Sequence, residues 1–170
     1  MTAVLTTERL RLRRLDEGDL PRLQAMFADP LVMRYYPGLK DEEETKRWFE
    51  WVVQQYADAG HGLWAAELRD GGEWIGQVGL TLQPIEDVRE TEIGYLLRSE
   101  HWHRGYATEA AIGCREYGFN TLGLSRLISL IRPENEPSIR VAERVGMRPE
   151  RIIRRRTFDH WIYAIERPYP

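Results

Sequence analysis

The stretch from Glu92 to Ala110, EIGYLLRSEHWHRGYATEA, reads as a strand, a short loop and a helix opened by Arg104, Gly105, Tyr106, Ala107 and Thr108. The first turn of a helix leaves backbone N–H groups unpaired at the positive end of aligned peptide dipoles, so such a loop can hold an anion. Gly105 and Ala107 carry little or no side chain, which lets a phosphate or pyrophosphate come close to the backbone. Alone, a G-x-A turn is first of all a tight strand-to-helix connection.

A second stretch, Asn135 to Met147 (NEPSIRVAERVGM), has an Asn suited to capping a helix, Ser138 in the first turn and Gly146 to end it. It reads equally as an ordinary capped helix. Glu92 would share a strand face with Gly94 and Leu96. There it serves either as a proton acceptor, directly or through water, or as a sheet carboxylate paired with arginine. Cys114 falls in an apolar helical stripe and reads as a structural thiol rather than a nucleophile. His101 and His103 flank Trp102, but no third ligand is evident in the sequence, so no metal is expected.

These residues need elements to position them. Residues 9 to 15 (RLRLRRL) alternate leucine and arginine, as a strand with one solvated face does. Asp16 or Asp19 can cap a helix through Ala28, and Asp41 with its acidic followers opens a second helix that runs to Gly60. Strands are predicted at 62 to 69 and 73 to 83, joined through Asp70-Gly71-Gly72, and at 91 to 98. A helix over 105 to 122, a buried strand over 127 to 131, the helix capped by Asn135, and strands near 151 to 158 and 161 to 167 complete the chain. The order predicts a mixed α/β sheet with helices on both faces.

The 170 residues suit one domain spanning 1 to 170. A net charge of -3 argues against DNA as a partner, the sequence holds no apolar run long enough to span a membrane, and a single cysteine fits a cytoplasmic location.

W-x-x-G-x-A at 102 to 107 resembles the pyrophosphate-binding motif of the GNAT N-acetyltransferases, and N-x-x-S ending in Gly-Met resembles their following motif. TERLRLRRL at 7 to 15 resembles the first strand of the RimJ/RimL branch, whose members acetylate ribosomal protein N-termini or other amines. The resemblance implies a mostly antiparallel sheet of about seven strands, split between the fourth (91 to 98) and the fifth (127 to 131). It implies acetyl-CoA as cosubstrate, held by the backbone at Leu96, Leu97 and Arg98, by His103 to Thr108, and by Asn135 and Ser138. Tyr36, Trp48 and Trp51, with Tyr35, fall in the region that forms the acceptor side in related proteins. Two departures from the family pattern are Trp102, in place of the usual Gln or Arg, and Ala142, where a tyrosine acid is frequent.

The implied reaction is direct attack of a primary amine on the thioester in a ternary complex, which needs a proton acceptor, an oxyanion donor and a proton for the thiolate. Glu92 is the candidate for the first, a backbone N–H near Leu96 or Leu97 for the second and Ser138 for the third. Acceptors range from a protein N-terminus, ribosomal proteins included, to small-molecule amines, and a homodimer is a possible assembly. The arginines at 140, 144, 148, 151 and 154 to 156 read as a solvated face, or as a contact for the cofactor's adenosine phosphate or for ribosomal RNA. The alternative reading is a non-catalytic acyl-CoA-binding sensor or docking module.

Overall fold

A computed structural model describes residues 2–168. Strand β2 (Leu10–Arg14) has Leu10 and Leu12 fully buried and Arg11 exposed, as the alternation predicts, while Arg14, at the strand end, is exposed on the leucine side. Arg13 departs from the alternation too. It lies buried, its guanidinium on Asp19 (2.7 and 2.8 Å) and on Glu67 (2.8 Å), so the expected solvated face carries one internal ion cluster. Ahead of β2, the short strand β1 (Ala3–Thr6) pairs antiparallel with it, giving eight strands rather than about seven. The sequence hides β1 because AVLT is too short to show alternation.

Asp16 caps a 3-10 turn (Glu17–Asp19) that leads into α1 (Leu20–Phe27). Asp41 caps α2 (Glu42–Asp58): its carboxylate accepts from Glu44 N–H at 2.8 Å, and Glu44 accepts from Asp41 N–H at 3.0 Å. The remaining strands are β3 (Leu63–Leu68), β4 (Trp74–Ile85), β5 (Val88–Leu97), β6 (Arg126–Ile131), β7 (Arg148–Arg155) and β8 (Phe158–Glu166). Helix α3 (Tyr106–Glu116) runs on through a π turn at Tyr117–Thr121, and α4 (Glu136–Val145) is capped by Asn135. The sheet order is β1-β2-β3-β4-β5-β6-β8-β7, antiparallel except for β5 and β6.

The pleat of β5 decides which side chains meet. Gln77 pairs with Leu96 and Thr81 with Glu92, which puts Glu92, Gly94 and Leu96 on the face where Trp48 Nε1 donates to Gln77 Oε1 at 3.2 Å. That is the face of α2. Ile93, Tyr95 and Leu97 point the other way, where the Tyr95 hydroxyl donates to the Ser138 carbonyl of α4 at 2.7 Å. Following the register through β6 and β8, Ile128, Leu130, Ile162, His160, Phe158 and Arg155 lie on the Glu92 face. Ile85, Ile128 and Ile162 form a small apolar cluster there, apart from the main core.

Among the described residues no helix is long and apolar enough to cross a membrane.

Candidate active site

The start of α3 is a backbone construction. Gly105, at φ +79°, is the N-cap, and among the described residues no side chain caps the helix, so the N–H groups of its first turn stay free. His103 also has positive φ, at 60°. The turn is clasped from outside: Thr7 Oγ1 and Arg9 N–H donate to Glu109 Oε1 (2.6 and 2.7 Å), and Arg9 Nε donates to Oε2 (2.6 Å). Arg9 Nη1 also holds the Arg104 carbonyl (3.0 Å), and its guanidinium lies 4.6 Å from the centre of the Tyr106 ring. Burial pushes the Glu109 pKa up, but its bonds from Thr7 and Arg9 outweigh that and hold it below the usual carboxylate range. The clasp therefore stays charged near neutral pH and leaves the helix N–H groups to a ligand. A groove of about 520 Å³ runs beside this turn, lined by Thr7, Gly105, Thr108, Glu109, Ile112, Gly113 and Arg144. Of the C-terminal arginines, Arg144 is the one that reaches it.

The split expected between the two parallel strands is present as a short pairing. Bridging occurs at Glu92 and Ile128 alone, although β5 continues to Leu97 and β6 to Ile131. Just past the bridge, Ser129 Oγ rather than a backbone N–H donates to the Ile93 carbonyl (2.8 Å). Arg98 N–H donates to Ile75 O (2.9 Å), so by alternation the even-numbered residues of β5 turn their backbone groups to β4 and the odd-numbered ones to the gap. Of Leu96, Leu97 and Arg98, only Leu97 turns its N–H toward the gap. Arg98 has its N–H on Ile75 and its carbonyl on His101 N–H (3.0 Å), while the Leu97 carbonyl takes the Trp102 indole N–H (2.9 Å). That last bond gives Trp102 a positioning role at the place where the family pattern usually has Gln or Arg.

On the α4 side, Asn135 Oδ1 accepts from Ser138 N–H at 3.2 Å, so Asn135 acts here as a cap and Ser138 as a first-turn residue. The Tyr95 hydroxyl, bonded to the Ser138 carbonyl, is pushed up in pKa by burial and by the Glu92 charge and so remains a proton donor. Ala142 is fully buried in the core, and its methyl group carries no acid. Cys114 is likewise buried, and burial raises its thiol pKa.

On the opposite face, the Glu92 carboxylate accepts from Gln83 Nε2 (2.8 Å), Thr81 Oγ1 (3.4 Å) and Leu130 N–H (3.4 Å). Desolvation lifts its pKa above the usual carboxylate range, against the opposing charge of Arg155. No arginine pairs with it directly among the described residues; the Gln83 amide stands between, accepting from Arg155 Nη2 at 3.2 Å. Tyr36 is 40% exposed, and its hydroxyl pKa is raised by desolvation and by the Glu92 charge. Trp48 and Trp51 lie 5.0 Å apart with rings tilted at 42°, Trp48 meets Phe27 edge-on at 5.8 Å, and both pack against the main core.

Sequence reasoning passed over Tyr95, Gln83 and the Arg9–Glu109 clasp, and took Arg155 only as one of a C-terminal run of arginines. Tyr95 was readable, since strand parity sets it opposite Glu92. Gln83 and Arg155 stand 72 positions apart and meet only through the sheet.

An anion-ready helix start next to a gap between two parallel strands suits a CoA-dependent acyl transferase, and the chain belongs to the GNAT family: the model described as acetyltransferase (GNAT) domain matches residues 9–148. The chain is an acetyl-CoA-dependent acetyltransferase. It is 43% identical over 152 residues to YkkB of Bacillus subtilis, covering 89% of this chain and 88% of that protein. It is also 33% identical to the uncharacterized N-acetyltransferase YoaA of Bacillus subtilis, with 99% of each covered. A solved acetyltransferase from Agrobacterium tumefaciens superposes with a TM-score of 0.86 at 34% identity, over 98% of this chain and 95% of that one. The residues present fit acetyl-CoA: free N–H groups beside Gly105 suit its pyrophosphate, and the unpaired edges of β5 and β6 offer backbone groups to an amide-bearing arm.

Proposed function

We propose that the chain transfers the acetyl group to a primary amine by direct attack in a ternary complex, with Glu92 taking the amine's proton directly or through water. The observation that carries this is the Glu92 carboxylate at the mouth of the gap, desolvated, held by Gln83 and, among the described residues, lacking a direct arginine partner. A carboxylate lifted toward neutrality is a better base than one in a salt bridge.

The other roles divide around the gap. The Leu97 N–H is the proposed oxyanion donor, because it faces the gap and a backbone donor needs no reorganisation during reaction. Ser138 is proposed to donate to the departing sulfur, with the Tyr95 hydroxyl fastening its turn. His103 to Thr108 bind the pyrophosphate, and Tyr36 borders the acceptor cleft with Trp48 and Trp51 behind it. Acetyl-CoA supplies the activated carbonyl; the protein supplies orientation, a proton acceptor and a proton donor.

The likeness of residues 7 to 15 to the RimJ/RimL branch supports an amine on a protein N-terminus or a small molecule as acceptor. The test is thiol release on mixing the protein with acetyl-CoA and amines. Glu92→Gln should lose turnover while still binding acetyl-CoA, and turnover equal to the wild type removes Glu92 as the base.

A further inference from the structure

On the Glu92 face the guanidiniums of Arg132 and Arg151 are held by carboxylates. Arg132 pairs with Glu134, donates to the Tyr35 carbonyl at 3.3 Å and stacks 3.9 Å from the centre of the Phe158 ring, so it ties the Tyr35 loop to β8. Arg151 pairs with Glu86 at 3.1 Å, while Arg154, on the other face of β7, pairs with Asp159 at 2.9 Å. Arg155 is half-buried and has no carboxylate partner among the described residues; its hydrogen bond goes to a neutral amide, Gln83 Oε1. Its charge nevertheless acts on Glu92.

A half-buried guanidinium offers donors in a planar fork suited to a carboxylate or a phosphate. Here the fork is oriented by Gln83, whose other end holds the proposed base. Two hydrogen bonds and one amide width separate the charges, so guanidinium and carboxylate lie within roughly 8 Å of each other along this path. We propose that the acceptor is a small amine carrying an anionic group a few bonds away, and that Arg155 is its specificity-determining anchor. The ammonium end meets Glu92 and the carboxylate or phosphate end meets Arg155. A polyamine of matching length would set its second ammonium against the guanidinium, an arrangement the like charges oppose. The proposal rests on the assignment of Glu92 as the base, since that orients the acceptor.

The test uses the full chain, acetyl-CoA and matched acceptors: glycine, β-alanine and γ-aminobutyrate, each against its carboxamide, with 2-aminoethyl phosphate and spermidine alongside. Rates are compared at equal concentrations of neutral amine. A charge-assisted bond to Arg155 should make kcat/KM for a carboxylate acceptor at least about tenfold higher than for its amide. Arg155→Gln should raise KM for the anionic acceptor and bring the ratio close to one, and Arg155→Lys should restore part of it. The phosphate arm distinguishes the two anionic groups by which one Arg155→Gln penalises more.

If Arg155 is only a counter-charge to Glu92, Arg155→Gln shifts the pH profile alike for every acceptor and leaves the ratio unchanged, which overturns the proposal. Amides or spermidine matching the anionic members in the wild type, or no turnover with any anionic member, overturns it too. Failure of the base assignment is separate: it shows as undiminished turnover by Glu92→Gln whatever the acceptor.

Discussion

The two sides of the gap are built by different means. On the α3–α4 side the groups proposed to work are backbone N–H groups, shaped by a positive-φ glycine and an asparagine cap and held by the Arg9–Glu109 clasp. On the α1–α2 side the groups proposed to work are side chains, Glu92, Gln83, Arg155 and Tyr36, gathered from four separate stretches of sequence. The difference teaches that a site made of main chain depends on geometry and tolerates many neighbours. A site made of side chains can be retuned residue by residue.

The sharpest way to break that contrast is Glu92→Gln, which should lower kcat by about two to four orders of magnitude with little change in affinity for acetyl-CoA, as loss of a general base does. Because desolvation lifts the Glu92 pKa, its carboxyl is protonated and idle at low pH, so kcat/KM should rise with pH through that raised value. The variant should lose this limb. Steady-state thiol release from pH 5 to 9 reads both.

Next in size is the scaffold of the acceptor side. Asp19 is fully buried beneath Arg13, and removing one partner of a buried ion pair costs about 3 to 5 kcal/mol, so Asp19→Ala should show a loss of that order in urea unfolding. Burial pushes the Asp19 and Glu67 pKa values up, but their arginine bonds outweigh it and hold both below their unfolded values of about 4. Their stabilisation is thus complete above that pH and vanishes as pH falls through the lower folded values. Thermal melts of the wild type should fall steeply there, and melts of Asp19→Ala less so.

The donor side should respond more mildly to a single change. Gly105→Val forces a branched residue to φ +79°, at a cost of about 1 to 2 kcal/mol, and should weaken acetyl-CoA binding roughly tenfold by titration calorimetry while sparing kcat at saturation. Smallest is Ser138→Ala, expected to slow acetyl transfer about threefold and to leave cofactor affinity nearly unchanged, the signature of an interaction made mainly in the transition state. A larger loss of affinity than of kcat would make Ser138 a binding residue instead.

This ranking also tracks what the sequence discloses. Gly105, the Asn135 cap, the acidic start of α2 and the alternation of β2 are local signals that the structure repeats in place. β1 was hidden because its AVLT run is short, and the burial of Arg13 because charge pattern alone cannot show that Asp19 and Glu67 converge on it. Along the donor side the helix starts follow from neighbours in the chain, although the Arg9–Glu109 clasp that braces one of them spans 100 positions. The acceptor side depends on pairing Gln83 with Arg155 across 72 positions, which no periodicity encodes.

The pleat of β5 has a consequence of its own. Successive residues of one strand look into two different compartments, so on the proposed reading the sheet acts as a partition and the acetyl group crosses it through a slit. Donor and acceptor need never compete for the same entrance, and each spent product can leave by the door through which its parent came. A lineage can then exchange acceptors by altering even-numbered positions of β5 and what surrounds them, while the odd-numbered positions keep the same acetyl donor in place.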